Sequence, residues 1–153
     1  MSGQGRERWF EDYVPGTTTE HGPLRVAEAD VVDFGRRFDP QPFHVDPGAA
    51  AAGPFGGLIA SGWHTCALMM RLFADEYLSP VSSLGSPGID ELRWTAPVRP
   101  GDELTLRTTV EEARLSRSKP DRGLLRTRIE LLNQDGVVAL SMVAMNLVRA
   151  RPA

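Results

Sequence analysis

The chain has little of what marks several specialised classes of protein. Its one cysteine, Cys66, excludes an internal disulfide framework and leaves no cysteine pair for a zinc site. The net charge of −3 lacks the basic excess of a nucleic-acid-binding surface. No apolar run reaches the length of a membrane helix, and the N-terminal sequence MSGQGRERWFEDY has no signal-peptide core. We therefore expect a cytoplasmic protein that binds neither nucleic acid nor membranes.

The remaining composition is that of an ordinary globular protein. Hydrophobic residues make up 41% of the 153 residues and charged residues 24%, a balance that differs from that of intrinsically disordered chains. Dividing a chain of this length between two domains would leave both cores small. We expect one domain over residues 1–153, within which residues 1–12 form a flexible N-terminal extension.

The first half of the chain has mainly helical patterns. A strand is predicted over 17–26, and a helix over 26–38 that ends before an Asp-Pro pair. A short helical turn is predicted over 46–53, with Asp46 as its N-cap. Apolar residues then recur at steps of three and four, which predicts one long buried helix over 59–77. The predicted apolar face of this helix consists of Ile59, Trp63, Cys66, Met70, Phe73 and Tyr77. Leu68, Met69 and Leu72 form a second apolar stripe, so we expect the helix to be buried on most sides.

The second half of the chain has the period of two that is typical of strands. Apolar and polar residues alternate over 104–110 and 125–131, which predicts strands with one wet face. Asp135-Gly136 predicts a hairpin turn, and 137–148 is apolar on both faces, as in a central strand. The fold class is therefore α+β, a curled antiparallel β-sheet wrapped around one long central helix. Such a sheet leaves an open edge, which favours a symmetric dimer.

The sequence FDPQPFHVD, residues 38–46, is the most unusual stretch of the chain. Its prolines exclude a regular helix interior or a central strand, and they hold the segment rigid. Asp39 and His44 are its side chains best suited to proton transfer. Taken alone, each has a structural explanation: Asp39 as an N-cap before Pro40, and His44 as a packed, hydrogen-bonded loop residue. Their joint spacing favours a catalytic pair.

FDPQPFHVD followed by GGLIASGW resembles the MaoC-like dehydratases, the (R)-specific enoyl-CoA hydratases of the hotdog fold. The family pattern is Gly-Asp-x-Asn-Pro-aliphatic-His-x-Asp, then a turn with alanine, a phenylalanine and the start of the central helix. Three positions differ from that pattern, because Phe38 stands for glycine, Gln41 for asparagine and Phe43 for an aliphatic residue. The matching positions are Asp39, Pro42, His44, Asp46, Phe55, Leu58, Ile59 and Gly62.

The resemblance implies a hotdog-fold homodimer that reversibly hydrates trans-2-enoyl-CoA to (R)-3-hydroxyacyl-CoA. Asp39 and His44 would hold the attacking water and share the proton transfers. The N–H of Gly62, at the start of the long helix, would stabilise the thioester oxygen. No metal or organic cofactor is implied beyond the coenzyme A of the substrate. The residues expected to bind substrate are Ser61, Gly62, Gln41, Phe43, Phe55, Ile59 and Trp63.

Two other functions remain open. A hotdog thioesterase would direct water at the carbonyl carbon of an acyl-CoA and release free thiol. A non-catalytic subunit would bind an acyl thioester without turnover. Assay of enoyl loss and thiol release separates the three.

Other polar residues are expected to have structural roles. We expect His64 to pack at the surface or at an interface, His21 to lie in a loop, and Cys66 to be inert in the core. Four basic residues follow one another in RLSRSKPDRG, for which we favour a solvated hairpin loop over a site for coenzyme A phosphates. These residues are Arg114, Arg117, Lys119 and Arg122.

Overall fold

The computed structural model describes residues 7–153 as five strands and four α-helices. The strands form one antiparallel sheet in the order β1-β3-β4-β5-β2. The helices α1, α2 and α3 lie between β1 and α4, and α4 precedes β2. Their bounds are β1 Thr18–Arg25, α1 Glu28–Phe38, α2 Pro42–Val45, α3 Pro47–Ala52, α4 Gly62–Leu72, β2 Gly88–Trp94, β3 Glu103–Leu115, β4 Arg122–Leu132 and β5 Val138–Arg149.

The sheet curls around α4, which confirms the predicted hotdog architecture. Alternate residues of β3 and β4 point inward, and Leu104, Leu106 and Ile129 are fully buried there. From α4, Met69 and Leu72 pack into the same core. The helix continues as a π-helical turn, Phe73–Tyr77, which carries the core to the far end of the sheet.

The start and the rotation of α4 differ from prediction. The helix begins at Gly62, because the Ser61 hydroxyl caps it by accepting a hydrogen bond from the Trp63 N–H. The predicted apolar face is wrong at Trp63 and Met70, whose side chains are 59% and 44% exposed. The sheet covers the second predicted stripe, which includes Met69 and Leu72. The exposed residues therefore form an apolar outer surface on the helix.

The positions of two histidines also differ from the predicted ones. His64 is buried, because it faces α1 and stacks on Phe34, with ring centroids 4.9 Å apart. His21 lies within β1 rather than in a loop, and its Nε2 is 3.0 Å from the Thr19 hydroxyl.

The N-terminal segment is packed onto the domain over its described part. Phe10 is buried against Gly123 of β4, and Arg151 pairs with Asp12 at 2.7 Å. The predicted flexible extension over 1–12 is therefore wrong for residues 10–12, whereas residues 1–6 lie outside the described part. Of the helices in residues 7–153, none is long and apolar enough to cross a membrane.

One edge of the sheet is open. Strand β2 pairs with β5 on one side only, so half of its backbone N–H and C=O groups face outward. Ile89 and Trp94 are exposed on this strand, next to the exposed Trp63 of α4. The outer surface of α4 thus adjoins the open edge at the contact between Trp63 and Trp94.

Candidate active site

The segment between α1 and α3 brings Asp39 and His44 together. Asp39 is the C-cap of α1, where its N–H donates to the Gly35 carbonyl at 2.8 Å. Pro42 then begins α2, a single helical turn that carries His44. A side chain on Gly35 would lie 2.8 Å from Val45, so the glycine allows α2 to approach α1 closely. This packing turns the imidazole towards the Asp39 carboxylate.

The imidazole of His44 is held between a carbonyl and a carboxylate. Its Nδ1 lies 2.7 Å from the Ile59 carbonyl oxygen, which can only accept, so Nδ1 carries the hydrogen. Its Nε2 lies 3.2 Å from Oδ2 of Asp39. Nε2 is therefore the nitrogen that can exchange a proton with a bound molecule. Phe43 packs edge-on against the same ring, with centroids 4.5 Å apart, and limits its rotation.

The carboxylate of Asp39 accepts two further hydrogen bonds. The Ser61 hydroxyl donates to Oδ2 at 2.7 Å, and the Gln41 amide donates to Oδ1 at 2.7 Å. These bonds, with that from Ser61 the stronger influence, lower the pKa of Asp39 below its usual value. The carboxyl group is therefore ionised at neutral pH and is fixed in orientation. Gln41 thus supplies a side-chain amide at the position where the resemblance led us to expect asparagine.

A cavity of about 340 Å³ adjoins the pair. His44 forms part of its wall, and most of the remaining wall is apolar, as in sites for small organic ligands. Two backbone hydrogen bonds fix one side of the cavity. The Ile59 N–H donates to the Phe43 carbonyl oxygen at 3.0 Å, and the Ala60 N–H donates to the Val98 carbonyl oxygen at 2.8 Å. The other lining residues are Phe55, Ile59, Ala60, Gly62, Thr65, Trp94, Thr95, Ala96, Pro97 and Val98.

Gly62 places the N-terminus of α4 at the cavity wall. Its N–H has no hydrogen-bond acceptor among the described residues, and the positive end of the helix dipole lies there. The indole of Trp94 covers the glycine, and its N–H donates to Gly62 O at 2.8 Å. A Cβ atom at position 62 would lie 2.6 Å from the indole ring. Glycine thus leaves room for Trp94, and we expect it also to leave the N–H accessible to a substrate.

Most of the residues predicted for the site lie together. Gln41 and Ser61 contact Asp39, and Phe55 and Ile59 line the cavity. Trp63 does not line it, because its ring points outward and packs against Trp94, with centroids 5.0 Å apart. Trp94 lines the cavity although no motif in the sequence analysis identified it.

The site offers proton transfer beside an apolar cavity rather than a ready metal centre. Within residues 7–153, no three side chains of His, Cys, Asp or Glu lie close enough together to hold a metal ion. The groups present are an ionised carboxylate, an imidazole and an available helix N–H. Together they can activate a water molecule and stabilise negative charge on an oxygen atom.

The chain is similar to several known proteins in sequence and in fold. The family model of the MaoC like domain matches residues 11–129. YdeM of Bacillus subtilis is 30% identical over 128 residues, which cover 84% of this chain and 89% of YdeM. 3-Hydroxyacyl-thioester dehydratase Z of Mycobacterium tuberculosis is 43% identical over 67 residues, 43% of this chain and only 44% of that protein. The crystal structure of a MaoC-like dehydratase from Rhodospirillum rubrum aligns with a TM-score of 0.87 and 40% identity, covering 96% of this chain and 100% of that chain. The chain belongs to the MaoC-like dehydratase family.

Proposed function

We propose that the protein catalyses the reversible hydration of a trans-2-enoyl-CoA to an (R)-3-hydroxyacyl-CoA. The observation that carries the proposal is the Asp39–His44 pair, 3.2 Å apart, beside an apolar cavity that also reaches the N-terminus of α4. The name of the similar mycobacterial protein, a 3-hydroxyacyl-thioester dehydratase, supports the same reaction in reverse. The (R) configuration follows from the family resemblance. Coenzyme A belongs to the substrate, and the reaction needs no further cofactor.

The reaction requires a water molecule, a proton path and a site for negative charge. Water held between Asp39 and His44 adds its oxygen to C3 of the enoyl group and gives up one proton to the pair. The electrons of the C2–C3 double bond move towards the thioester, whose oxygen accepts a hydrogen bond from the Gly62 N–H. The pair then delivers a proton to C2, so that one water has been added in total. Dehydration follows the same steps in reverse.

An assay with two readouts tests the proposal. Crotonyl-CoA and longer trans-2-enoyl-CoAs are followed by the absorbance of the enoyl thioester, with a thiol reagent in a parallel well. We expect loss of the enoyl signal without thiol release, and an Asp39→Asn or His44→Ala enzyme slower by roughly 10²–10⁴-fold. Ser141→Ala, on the outward face of β5, serves as the control.

The same assay separates the competing functions. Thiol release would contradict the hydratase and indicate a thioesterase. Binding of acyl-CoA without either change would indicate a non-catalytic subunit. An unchanged rate in both the Asp39→Asn and the His44→Ala enzymes would exclude the pair as the catalytic group.

We also propose that the protein is a homodimer formed through the open edge of β2. Antiparallel pairing about a two-fold axis between Glu91 and Leu92 places Ile89 opposite Trp94 and Asp90 opposite Arg93. Ile89 and Trp94 pair with Ala144 and Leu140 of β5 on the inner face of the sheet, so both apolar side chains lie on one face. The opposite charges of Asp90 and Arg93 meet on the other face. Sedimentation equilibrium tests this assembly, and a monomer at micromolar concentration would contradict it.

A further inference from the structure

A second cavity lies at the end of the sheet where the β3–β4 hairpin turns. It has a volume of about 440 Å³, within the range of small-molecule sites. Arg114 and Arg117 border it, whereas Leu124 and Leu147 form an apolar floor on the outer face of the sheet. We call this cavity the hairpin groove. Its complete lining is Pro87, Arg114, Leu115, Ser116, Arg117, Leu124 and Leu147.

The positive charge beside the hairpin groove is poorly compensated. Elsewhere on the outer face, Arg126 pairs with Asp90 and Arg128 pairs with Glu111, each at 3.1 Å. At the groove, the carboxylate nearest to Arg114 is 3.8 Å away, on an exposed Glu112. Arg117 has no ion-pair partner among the described residues. In a chain of net charge −3, this local excess suits an anionic ligand.

The combination of charge and apolar surface restricts the class of that ligand. Guanidinium groups bind phosphate in a fork geometry and stack on planar rings. The leucine floor, together with the half-exposed Leu115, provides surface for an uncharged ring system. A phosphorylated purine nucleoside has both features, whereas inorganic phosphate alone would leave the floor uncovered.

The dimer register relates the hairpin groove to the catalytic cavity. If Ile89 lies opposite Trp94, then Pro87 lies opposite Ala96 of the partner subunit. Pro87 lines the groove, and Ala96 lines the catalytic cavity. The groove of one subunit therefore begins beside the catalytic cavity of the other. In the proposed dimer, β3 lies four strands from the partner's β2. With a strand spacing of about 4.8 Å, the two strands are roughly 20 Å apart.

We propose that the hairpin groove binds the 3′-phosphorylated ADP portion of coenzyme A while the acyl group occupies the partner's catalytic cavity. The inference rests on the proposed function and on the proposed dimer. In this arrangement Arg114 and Arg117 contact the phosphates, the adenine covers the leucine floor, and the pantetheine arm passes the end of the partner's β2. Neither arginine takes part in proton transfer.

Kinetics with two substrates tests this assignment. In an Arg114→Glu/Arg117→Glu enzyme, we expect the KM for crotonyl-CoA to rise at least about tenfold with kcat unchanged. The KM for the crotonyl thioester of N-acetylcysteamine, which has no nucleotide, stays constant. The matched control is Arg25→Glu/Arg71→Glu, which changes the net charge equally and lies outside the groove. An equal rise for both thioesters, or for neither, would overturn the assignment.

A binding measurement keeps this test independent of catalysis. Titration of adenosine 3′,5′-bisphosphate into the wild-type protein should give saturable binding that weakens with added salt. The double variant should bind it at least about tenfold more weakly. Absence of binding to the wild type would overturn the groove even if the hydratase is active. Binding without any turnover would instead support the groove and contradict the proposed reaction. If the two arginine substitutions reduced activity only with an acyl carrier protein thioester as substrate, the groove would bind a protein partner. That result would overturn the nucleotide assignment.

Mixed dimers test whether the groove serves the partner. A tagged Asp39→Asn subunit is co-expressed with a differently tagged Arg114→Glu/Arg117→Glu subunit, and the heterodimer is purified on both tags. Its only complete catalytic pair lies in the arginine variant, beside the intact groove of its partner. We expect the wild-type KM for crotonyl-CoA in this heterodimer. A KM that stays raised would assign each groove to its own subunit's cavity and overturn the shared site.

Discussion

The carboxylate of Asp39 is where three separate segments of the chain converge. It ends α1, receives a hydrogen bond from Gln41 two residues later, and receives another from Ser61 at the start of α4. Each donor favours the charged form of the group and removes one orientation that the side chain could otherwise adopt. The pair is therefore held in a fixed arrangement, with His44 at the cavity wall, before any substrate binds.

Removal of the Ser61 hydroxyl should change the pH dependence of the reaction. Since the Ser61 bond is the main influence that lowers the pKa of Asp39, Ser61→Ala should raise that pKa towards its usual value. If ionised Asp39 is needed, activity is then lost at a higher pH on acidification than in the wild type. The measurement is kcat/KM across the acid range. A lower rate with an unshifted acid limb would mean that Ser61 affects the site by packing and not through this charge.

The two roles of Gly62 can be separated. Gly62→Ala should reduce activity strongly, because its Cβ would lie 2.6 Å from the Trp94 ring. If that clash is the cause, Gly62→Ala should have a much smaller effect on kcat in a Trp94→Ala background, since alanine still has the N–H. If both backgrounds lose activity equally, close approach of the substrate to residue 62 is what requires glycine. Enoyl-CoA turnover by the four proteins gives the result.

The sequence was sufficient to predict the local part of the site. Asp39 and His44 are five residues apart in a proline-restrained segment, so their proximity is largely a local property. Trp94 was not identified, because it reaches the cavity from the end of β2 and depends on the contact between that strand and α4. Trp63 was misplaced because the rotation of a helix apolar on several sides is decided by its neighbours.

At the scale of elements, the contact between α1 and α4 determines where Asp39 lies. Phe34 of α1 stacks on His64 of α4, and Asp39, five residues after Phe34, is the C-cap of α1. The His64 imidazole is 6% exposed, and its Nδ1 has no hydrogen-bond partner within residues 7–153. A buried imidazole without a partner favours the neutral form, so this helix contact is sensitive to protonation.

Stability should therefore decrease on mild acidification. Burial lowers the pKa of His64 below its usual value of 6.5, and nearby Asp30 opposes this only in part. Below about pH 6.5 the unfolded chain binds a proton that the folded chain does not, so the free energy of unfolding falls by up to about 1.4 kcal/mol per pH unit. This loss stops once the pH is below the pKa of the folded state.

The His64→Phe protein provides the comparison. It keeps an aromatic ring against Phe34 and removes the titration, so it should lose less stability than the wild type between about pH 7.5 and about pH 5.5. Urea unfolding at both values gives the measurement. An identical loss in the two proteins would show that His64 does not contribute to the pH dependence.

The N-terminal segment should stabilise the sheet through one tight contact. A Cβ on Gly123 would overlap the ring of Phe10, so Gly123→Ala should destabilise the fold by roughly 1–3 kcal/mol. Phe10→Ala alone should cost about 3–5 kcal/mol. In the Phe10→Ala background the alanine at 123 has no ring to displace, and its cost should largely disappear. Additive losses in urea unfolding would contradict this contact.

Prediction was more accurate for strands than for helices. Alternation over 104–110 and 125–131 follows directly from one buried face, and those residues lie in β3 and β4. In the N-terminal turn Phe10–Asp12, Phe10 is the one buried residue, and two acidic residues follow it. A pattern this short cannot be distinguished in the sequence from a mobile chain end. Its position depends on a glycine in β4, more than a hundred residues away along the chain.

At the scale of the whole molecule, the exposed apolar residues are not scattered. Trp63 and Trp94 contact each other, and Ile89 lies on the same edge strand. An edge with unpaired backbone groups beside an apolar helix surface is normally covered in a soluble protein. In the proposed dimer, a two-fold axis at β2 would cover both features at once and would place each catalytic cavity beside the hairpin groove of the other subunit.

Cysteine cross-linking tests the register of this dimer directly. In a Cys66→Ser background, the Ile89→Cys/Trp94→Cys protein should form a covalent dimer on mild oxidation, because these positions lie opposite each other across the axis. Either single variant should remain uncross-linked, since two copies of position 89 would be about five residues, or roughly 17 Å, apart along the strands. Non-reducing electrophoresis gives the result. Equal cross-linking by a single variant would mean that the strands pair in another register, and the hairpin groove would then no longer adjoin the partner's cavity.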